Sequence, residues 1–127
     1  GLVPIITPPE RNDLLRQRLP DLKAWVALGC LIQVTAASFQ GRFGRRAEAF
    51  SETLMGENLV HFIASDAHDT KHRPPGLGDA FDLVVSRWGA ARADALFTEN
   101  GRAVIENRLL PEASSESAKH RPWYRFW

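Results

Sequence analysis

One loop concentrates the residue types that hold metals and phosphates. It reads Ser65-Asp66-Ala67-His68-Asp69-Thr70-Lys71-His72-Arg73-Pro74-Pro75. In extended backbone, residues two apart point to the same side. Asp66 and His68 can therefore bring a carboxylate and an imidazole to one point. That pair suits a borderline divalent metal such as manganese, iron or zinc. The competing reading makes Asp66 a cap for the structure that follows and leaves His68 exposed. Arg73 carries a planar fork that matches two phosphate oxygens and a charge that does not titrate away. The plainer alternative is a surface arginine. Nothing in the pattern aims Asp69 or His72 at the same point.

Two further segments could add to such a site. Thr7-Pro8-Pro9-Glu10-Arg11-Asn12 follows an apolar run. Arg11 could meet the same phosphate as Arg73. Locally, the stronger reading is an ordinary Glu10–Arg11 ion pair at a helix start, where acidic residues are favoured. The segment Thr35 to Gly44 is rich in small residues and glycine, which let backbone approach other groups closely. It lacks the Gly-Lys-Ser/Thr of a nucleotide-binding loop, so it reads as a strand–turn–helix connection with Ser38 as a cap. His61 lies inside an apolar run, out of phase with Asp66 and His68, and reads as a core or interface histidine.

The elements that must position these residues alternate. Leu2 to Ile6, Leu31 to Thr35 and Leu59 to Ser65 are apolar runs without clean polar alternation. Such runs predict strands covered on both faces, as in a parallel sheet. A helix is predicted from Pro20 through Leu22, Trp25 and Leu28, ended by Gly29. A second carries Phe43, Ala47, Phe50 and Leu54 and closes at Gly56. A third carries Leu77, Phe81, Val84, Val85 and Trp88 and closes at Gly89. Asn100 is a candidate N-cap for a last helix with Val104 and Ile105 on one face. Strands alternating with helices predict an α/β fold with right-handed crossovers, whose chemistry sits where strands end.

The 127 residues suffice for one modest domain. The 16 Lys+Arg against 15 Asp+Glu offer no bulk charge for nucleic acid or an anionic membrane. A single cysteine, Cys30, excludes an internal disulfide and suits a reducing compartment. No apolar run approaches the roughly 18 residues of a membrane span. The chain opens on Gly1 and runs at once into an apolar segment, so upstream sequence is expected to precede it. After residue 108 the character changes: Glu112 to Lys119 is polar and small, and the terminus is aromatic and basic around Trp123, Tyr124, Arg125, Phe126 and Trp127. Residues 111–127 read as a tail, either folded back over an apolar groove or docking on a partner or membrane surface.

Taken in order, three blocks resemble one family. Pro4-Ile5-Ile6-Thr7-Pro8-Pro9-Glu10-Arg11-Asn12 is similar to the family's Pro-Ile-Ile-Ala-His-Pro-Glu-Arg-Asn. Gln33-Val34-Thr35-Ala36-Ala37-Ser38-Phe39-Gln40-Gly41-Arg42-Phe43-Gly44 resembles its Gln-Val-x-Ala-x-Ser-Leu-x-Gly-x-Phe-Gly. Ala64-Ser65-Asp66-Ala67-His68 with Arg73-Pro74-Pro75 resembles its Ala-Ser-Asp-Ala-His and Arg-Pro-Pro block. The family is the CpsB-type manganese-dependent protein-tyrosine phosphatases of the PHP (polymerase and histidinol phosphatase) class. Asp-Ala-His occurs in many PHP proteins; the middle block is what points to this subgroup.

The resemblance implies that residues 1–110 are the C-terminal portion of a distorted PHP-type (β/α)7 barrel. It implies a cluster of divalent metal ions, manganese first, that activates water. By position, Asp66 and His68 match metal ligands, and Arg11 and Arg73 match phosphate-binding arginines. The implied substrate is phosphotyrosine on a bacterial tyrosine kinase that controls capsular or exopolysaccharide synthesis, in the cytoplasm. One departure stands out. Pro8 replaces the histidine of the family's His-Pro-Glu-Arg, and proline has no side-chain donor for a metal. The family's His-x-His and its remaining ligands would lie upstream. A second reading follows, a non-catalytic relative that binds a kinase or polysaccharide-assembly partner.

Overall fold

Three short parallel strands in the order β1-β2-β3 form the centre of the computed structural model, which describes residues 2–110. The aromatic and basic tail lies outside the described residues. β1 (Ile5–Ile6) pairs Ile5 with Leu31 and Ile6 with Ile32. β2 (Leu31–Thr35) pairs Gln33, Val34 and Thr35 with Phe62, Ile63 and Ala64 of β3 (Phe62–Ala64). Strand order follows chain order, so each strand returns beside its predecessor after a helical connection, as parallel pairing demands. The expected mixed α/β class and parallel sheet are present.

β2 has the predicted bounds, and Ile32, Val34 and Thr35 are buried. The first run departs from expectation. Only Ile5 and Ile6 pair, while Leu2 is 99% and Val3 61% exposed. These residues lie at a sheet edge with no further strand beyond them among those described, so their apolar surface has nothing to pack on.

The helices cover the sheet. α1 (Asp13–Arg16) is capped by Asn12, whose side chain accepts from the N–H groups of Leu14 and Leu15. α2 (Leu19–Ala27) buries Leu22 and Val26, whereas Leu28 is 74% exposed and Trp25 only partly covered. The inward face runs from Leu22 to Val26, four apart, and not through Trp25 and Leu28. Gly29 follows with φ 99°, a left-handed conformation that glycine adopts without a Cβ clash. α3 (Arg45–Gly56) buries Ala47, Phe50, Leu54 and Met55. Phe43 precedes it rather than starting its apolar face. α4 (Gly78–Trp88) buries Ala80 and Val84, and Gly89 at φ 88° turns the chain into the next helical stretch. That stretch is α5 (Ala90–Asp94), a π turn (Ala95–Glu99) and α6 (Asn100–Ile105).

Asn100 is not an N-cap. It sits within that stretch with helical backbone, and its Nδ2 donates to the carbonyl of His61 at 2.8 Å. Val104 and Ile105 are exposed, and Asn100 and Ala103 face inward instead. A polar residue on the inner face disguised the register, because periodicity counts only apolar positions.

His61 fastens β3 to β2 at the end opposite the Asp66 loop. Its Nδ1 accepts the backbone N–H of Ile32 at 3.0 Å, and its own N–H donates to the Ile32 carbonyl at 2.9 Å. Burial, aided by the Arg92 guanidinium, lowers its pKa to about 4 from 6.5. The unfolded chain therefore binds a proton that the folded chain refuses. His61's contribution is complete above pH 6.5 and is lost as pH falls from 6.5 toward 4, by on the order of 3 kcal/mol in all. Chemical-denaturation midpoints measured from pH 7 to pH 5 are expected to fall, and to fall less steeply in His61→Gln. Equal slopes would show that His61 takes up no proton on unfolding.

Candidate functional site

All three strands point their C-terminal ends at one side of the sheet, and the loops that follow them meet there. β1 runs through Pro8 into a 3-10 turn (Pro9–Arg11) that carries Glu10 and Arg11. β2 runs directly into a second 3-10 turn (Ala36–Gln40) and then Gly41-Arg42-Phe43-Gly44. β3 ends two residues before Asp66.

Asp66 is the meeting point. Its Oδ2 accepts from Arg11 Nη1 and from Arg73 Nη2. The three side chains are each roughly a third exposed, so the charges remain within reach of solvent. Arg11 thus pairs across the site rather than with its neighbour Glu10, and the local ion-pair reading is overturned. Two guanidiniums gathered on one carboxylate oxygen form a preassembled dication edge of the kind that matches phosphate oxygens.

The loop reaches this arrangement by a sharp turn. Asp66 has φ 52°, so the backbone is not extended there, contrary to expectation. Aspartate is among the few residues that visit this region at tolerable cost. The turn still places His68 beside Asp66, with Nδ1 2.8 Å from the Asp66 carbonyl and 3.9 Å from Oδ1. Asp69 takes the capping role considered for Asp66. Its Oδ1 accepts the backbone N–H groups of Lys71, His72 and Arg73, and these bonds, His72's first, hold the exposed Asp69 carboxyl below the usual carboxylate range. The N–H of His68 donates to the Arg73 carbonyl at 3.0 Å. The loop thereby folds back and delivers Arg73 to Asp66. His72 is exposed, with its Nδ1 3.9 Å from Asp69 Oδ2.

Two residues that local sequence reasoning set aside support the site. Glu10 is wholly buried, and its Oε1 accepts from the Thr35 N–H at 2.9 Å and from Ser38 Oγ at 2.8 Å. It clamps the Arg11 turn onto the end of β2, and Ser38 serves this clamp instead of capping a helix. Glu10 Oε2 has no hydrogen-bond partner among the described residues. Phe43 lies under the arginines, with the Arg11 guanidinium carbon 4.0 Å and that of Arg73 5.9 Å from its ring centroid. Beside them opens a cavity of about 360 Å³ lined by Ala36, Gln40, Phe43, Ser65, Arg73 and Pro74, among others.

For a divalent metal, Asp66 and His68 fit as part of a donor set. With Nδ1–H donated to the Asp66 carbonyl, Nε2 of His68 is left as the ligating nitrogen, the usual tautomer arrangement of metal-bound histidines. Among the described residues no group of three or more His, Cys, Asp or Glu could hold a metal by itself. The remaining donors of any such centre would come from elsewhere.

The family model described as capsular polysaccharide synthesis, CpsB/CapC, matches residues 1–106. The chain belongs to the CpsB/CapC family. Among similar proteins, the tyrosine-protein phosphatase YwqE of Bacillus subtilis (strain 168) is 32% identical over 127 residues, 100% of this chain and 50% of the relative. The tyrosine-protein phosphatase CpsB of Streptococcus agalactiae serotype V is 32% identical over 119 residues, 87% of this chain and 47% of the relative. The fold is similar to crystal structures of YwqE from Bacillus subtilis and CpsB from Streptococcus pneumoniae, described as metal-dependent tyrosine phosphatases. The TM-score is 0.81 at 35% identity, covering 87% of this chain and 44% of that one. This CpsB/CapC chain spans about half the length of the curated relatives it matches.

Proposed function

We propose that these residues are the C-terminal half of a metal-dependent phosphatase. Its substrate is phosphotyrosine on a bacterial tyrosine kinase that controls capsular or exopolysaccharide synthesis. Residues 1–110 contribute β1–β3 to a distorted (β/α)7 barrel of the PHP type. The protein acts in the cytoplasm, where Cys30 stays a free thiol. The observation that supports this most is the convergence of Arg11 and Arg73 on Asp66 Oδ2 from two separate strand ends.

Arg11 and Arg73 hold the phosphate by paired N–H groups and orient it for in-line attack. Asp66 and His68 supply a carboxylate oxygen and Nε2 to a divalent metal, manganese, with iron or zinc as alternatives. Such a metal, when bound, lowers the pKa of a coordinated water and draws charge from the phosphoryl oxygens. Asp66 stands between the two functions, because it both anchors the arginines and offers a ligand. The upstream half supplies the remaining donors.

Pro8 favours a second reading, a non-catalytic family member that binds a kinase or polysaccharide-assembly partner. It stands between β1 and the Arg11 turn, where the family motif has histidine. Pro8→His in the full-length protein separates the two. For a phosphatase short of one ligand, the variant is expected to raise both bound manganese and phosphotyrosine hydrolysis by about tenfold or more. The gain should be strong with Arg73 present and slight in Arg73→Ala. If metal content and rate both stay unchanged, position 8 is not a ligand position. A Pro8 protein already as fast as its histidine variant would show that the chemistry tolerates proline there.

A further inference from the structure

Phe43 is an aromatic residue outside the hydrophobic core. It is absent from the cluster formed around Leu22, Ile32, Val34, Phe39, Leu54 and Val84, and it is only partly buried. A phenyl ring left at the surface of a small fold usually seeks apolar cover. This one has guanidinium groups against it instead, Arg11 at 4.0 Å and Arg73 at 5.9 Å from the ring centroid.

Its placement is set by the backbone. Gly41 at φ 71° ends the 3-10 turn after β2, and Gly44 at φ 88° precedes α3. Both conformations are open to glycine and costly for other residues. A Cβ at Gly41 would also lie 3.1 Å from Glu48 Oε2. The pair of reversals lifts Arg42-Phe43 out of the line from β2 to α3 and turns it to the strand ends where Arg11 and Arg73 meet.

We propose that Phe43 is a positioning residue that holds the two arginines in register for a phosphoryl group. The proposal rests on the phosphate-binding role assigned above to Arg11 and Arg73. A guanidinium laid on an aromatic face keeps all its N–H donors in its own plane, free to point outward at an anion. Hydrogen bonds to Asp66 alone fix each arginine at one end and leave rotation about that contact. The ring removes this freedom for Arg11 chiefly, and for Arg73 by a longer contact. It also lines the 360 Å³ cavity beside Arg73. A substrate's own ring could therefore touch Phe43, and a test must separate that contact from arginine positioning.

Inorganic phosphate makes the separation, because it has no ring. In the full-length protein with manganese, Phe43→Ala is expected to raise the inhibition constant of inorganic phosphate about tenfold, the scale of one partly desolvated cation–π contact. It should raise KM for p-nitrophenyl phosphate by a similar factor and change kcat less. Phe43→Trp should recover most of the loss and Phe43→Leu little, because leucine restores bulk without a π face. In an Arg11→Ala background, Phe43→Ala should add almost nothing. If Phe43→Leu recovers as much as Phe43→Trp, or if phosphate inhibition is unmoved in Phe43→Ala, Phe43 does not position the arginines. If Arg11→Ala and Arg73→Ala themselves leave phosphate inhibition unchanged, it is the phosphate-binding reading that fails.

Discussion

Asp66→Ala in the full-length protein is expected to lower hydrolysis of a phosphotyrosine peptide by roughly a thousandfold or more, and to lower bound metal with it. Two losses combine. The first is the carboxylate proposed above as a metal ligand, and even groups that merely orient ligands are worth about 10–100-fold. The second is the common acceptor for Arg11 Nη1 and Arg73 Nη2. Without it, two like charges about a third exposed repel each other with nothing between them, and their donors spread apart before substrate arrives. Asp66→Asn separates the terms in part. It keeps the volume and one acceptor oxygen but removes the charge that the guanidiniums, and on the proposed reading the metal, need. Metal analysis and single-turnover rates on the same samples provide the check. Full metal content in an inactive Asp66→Ala protein would make Asp66 an arginine anchor only. A rate within tenfold of the unmodified protein would remove it from the site.

The second large effect belongs to the arginines. Arg73→Ala and Arg11→Ala are each expected to cost about a hundredfold in kcat/KM, the scale of one lost donor to developing oxyanion charge. Their combination should cost less than the product, because the two share Asp66 Oδ2 and the Phe43 ring and so do not act independently. Lysine should rescue neither. A point ammonium cannot donate in a planar fork or lie flat on Phe43. Steady-state kinetics with manganese in excess measure all of this. Strict multiplicativity of the single effects would contradict a shared site, and full activity in Arg73→Lys would contradict bidentate phosphate binding.

How far the sequence could be read differs sharply between elements. β2 was legible to the residue because Gly29 stops the helix before it and its β-branched run is short. β1 was over-read, since an apolar run predicts a strand only where a neighbour exists to pair with it. α2 and α6 were placed, but their inward faces were read only in part: Leu22 is buried as expected, whereas Val26 and Ala103 take the inward places given to Trp25 and Val104. In α6 the inward residue is Asn100, a polar side chain whose partner is a backbone carbonyl, and apolar periodicity is blind to that. Within the site, the loop after β3 was legible by residue type, although the geometry came from a left-handed Asp66 rather than extended chain. Arg11 was ambiguous because its partner lies 55 residues away, and local reasoning offered it Glu10 instead. Glu10 and Phe43 were missed for related reasons. A glutamate beside an arginine reads as an ion pair at a helix start until the N–H of Thr35 is known to need an acceptor. A phenylalanine four residues before Ala47 reads as part of the helix's apolar face until two arginines are found against it. The signal for Phe43 was the pair of flanking glycines, which mark backbone bent for a purpose.

The most direct test is phosphate release from a phosphotyrosine peptide by the full-length protein, with and without excess manganese, beside the Arg11→Ala/Arg73→Ala double variant. Metal-dependent release is expected from the unmodified protein, lost on chelation and regained on adding manganese. The double variant, still folded by thermal melt, should release at least about a hundredfold less. Equal release by both proteins, or none from either at any metal concentration, would contradict the assignment of Arg11, Arg73 and Asp66 to a phosphotyrosine phosphatase site.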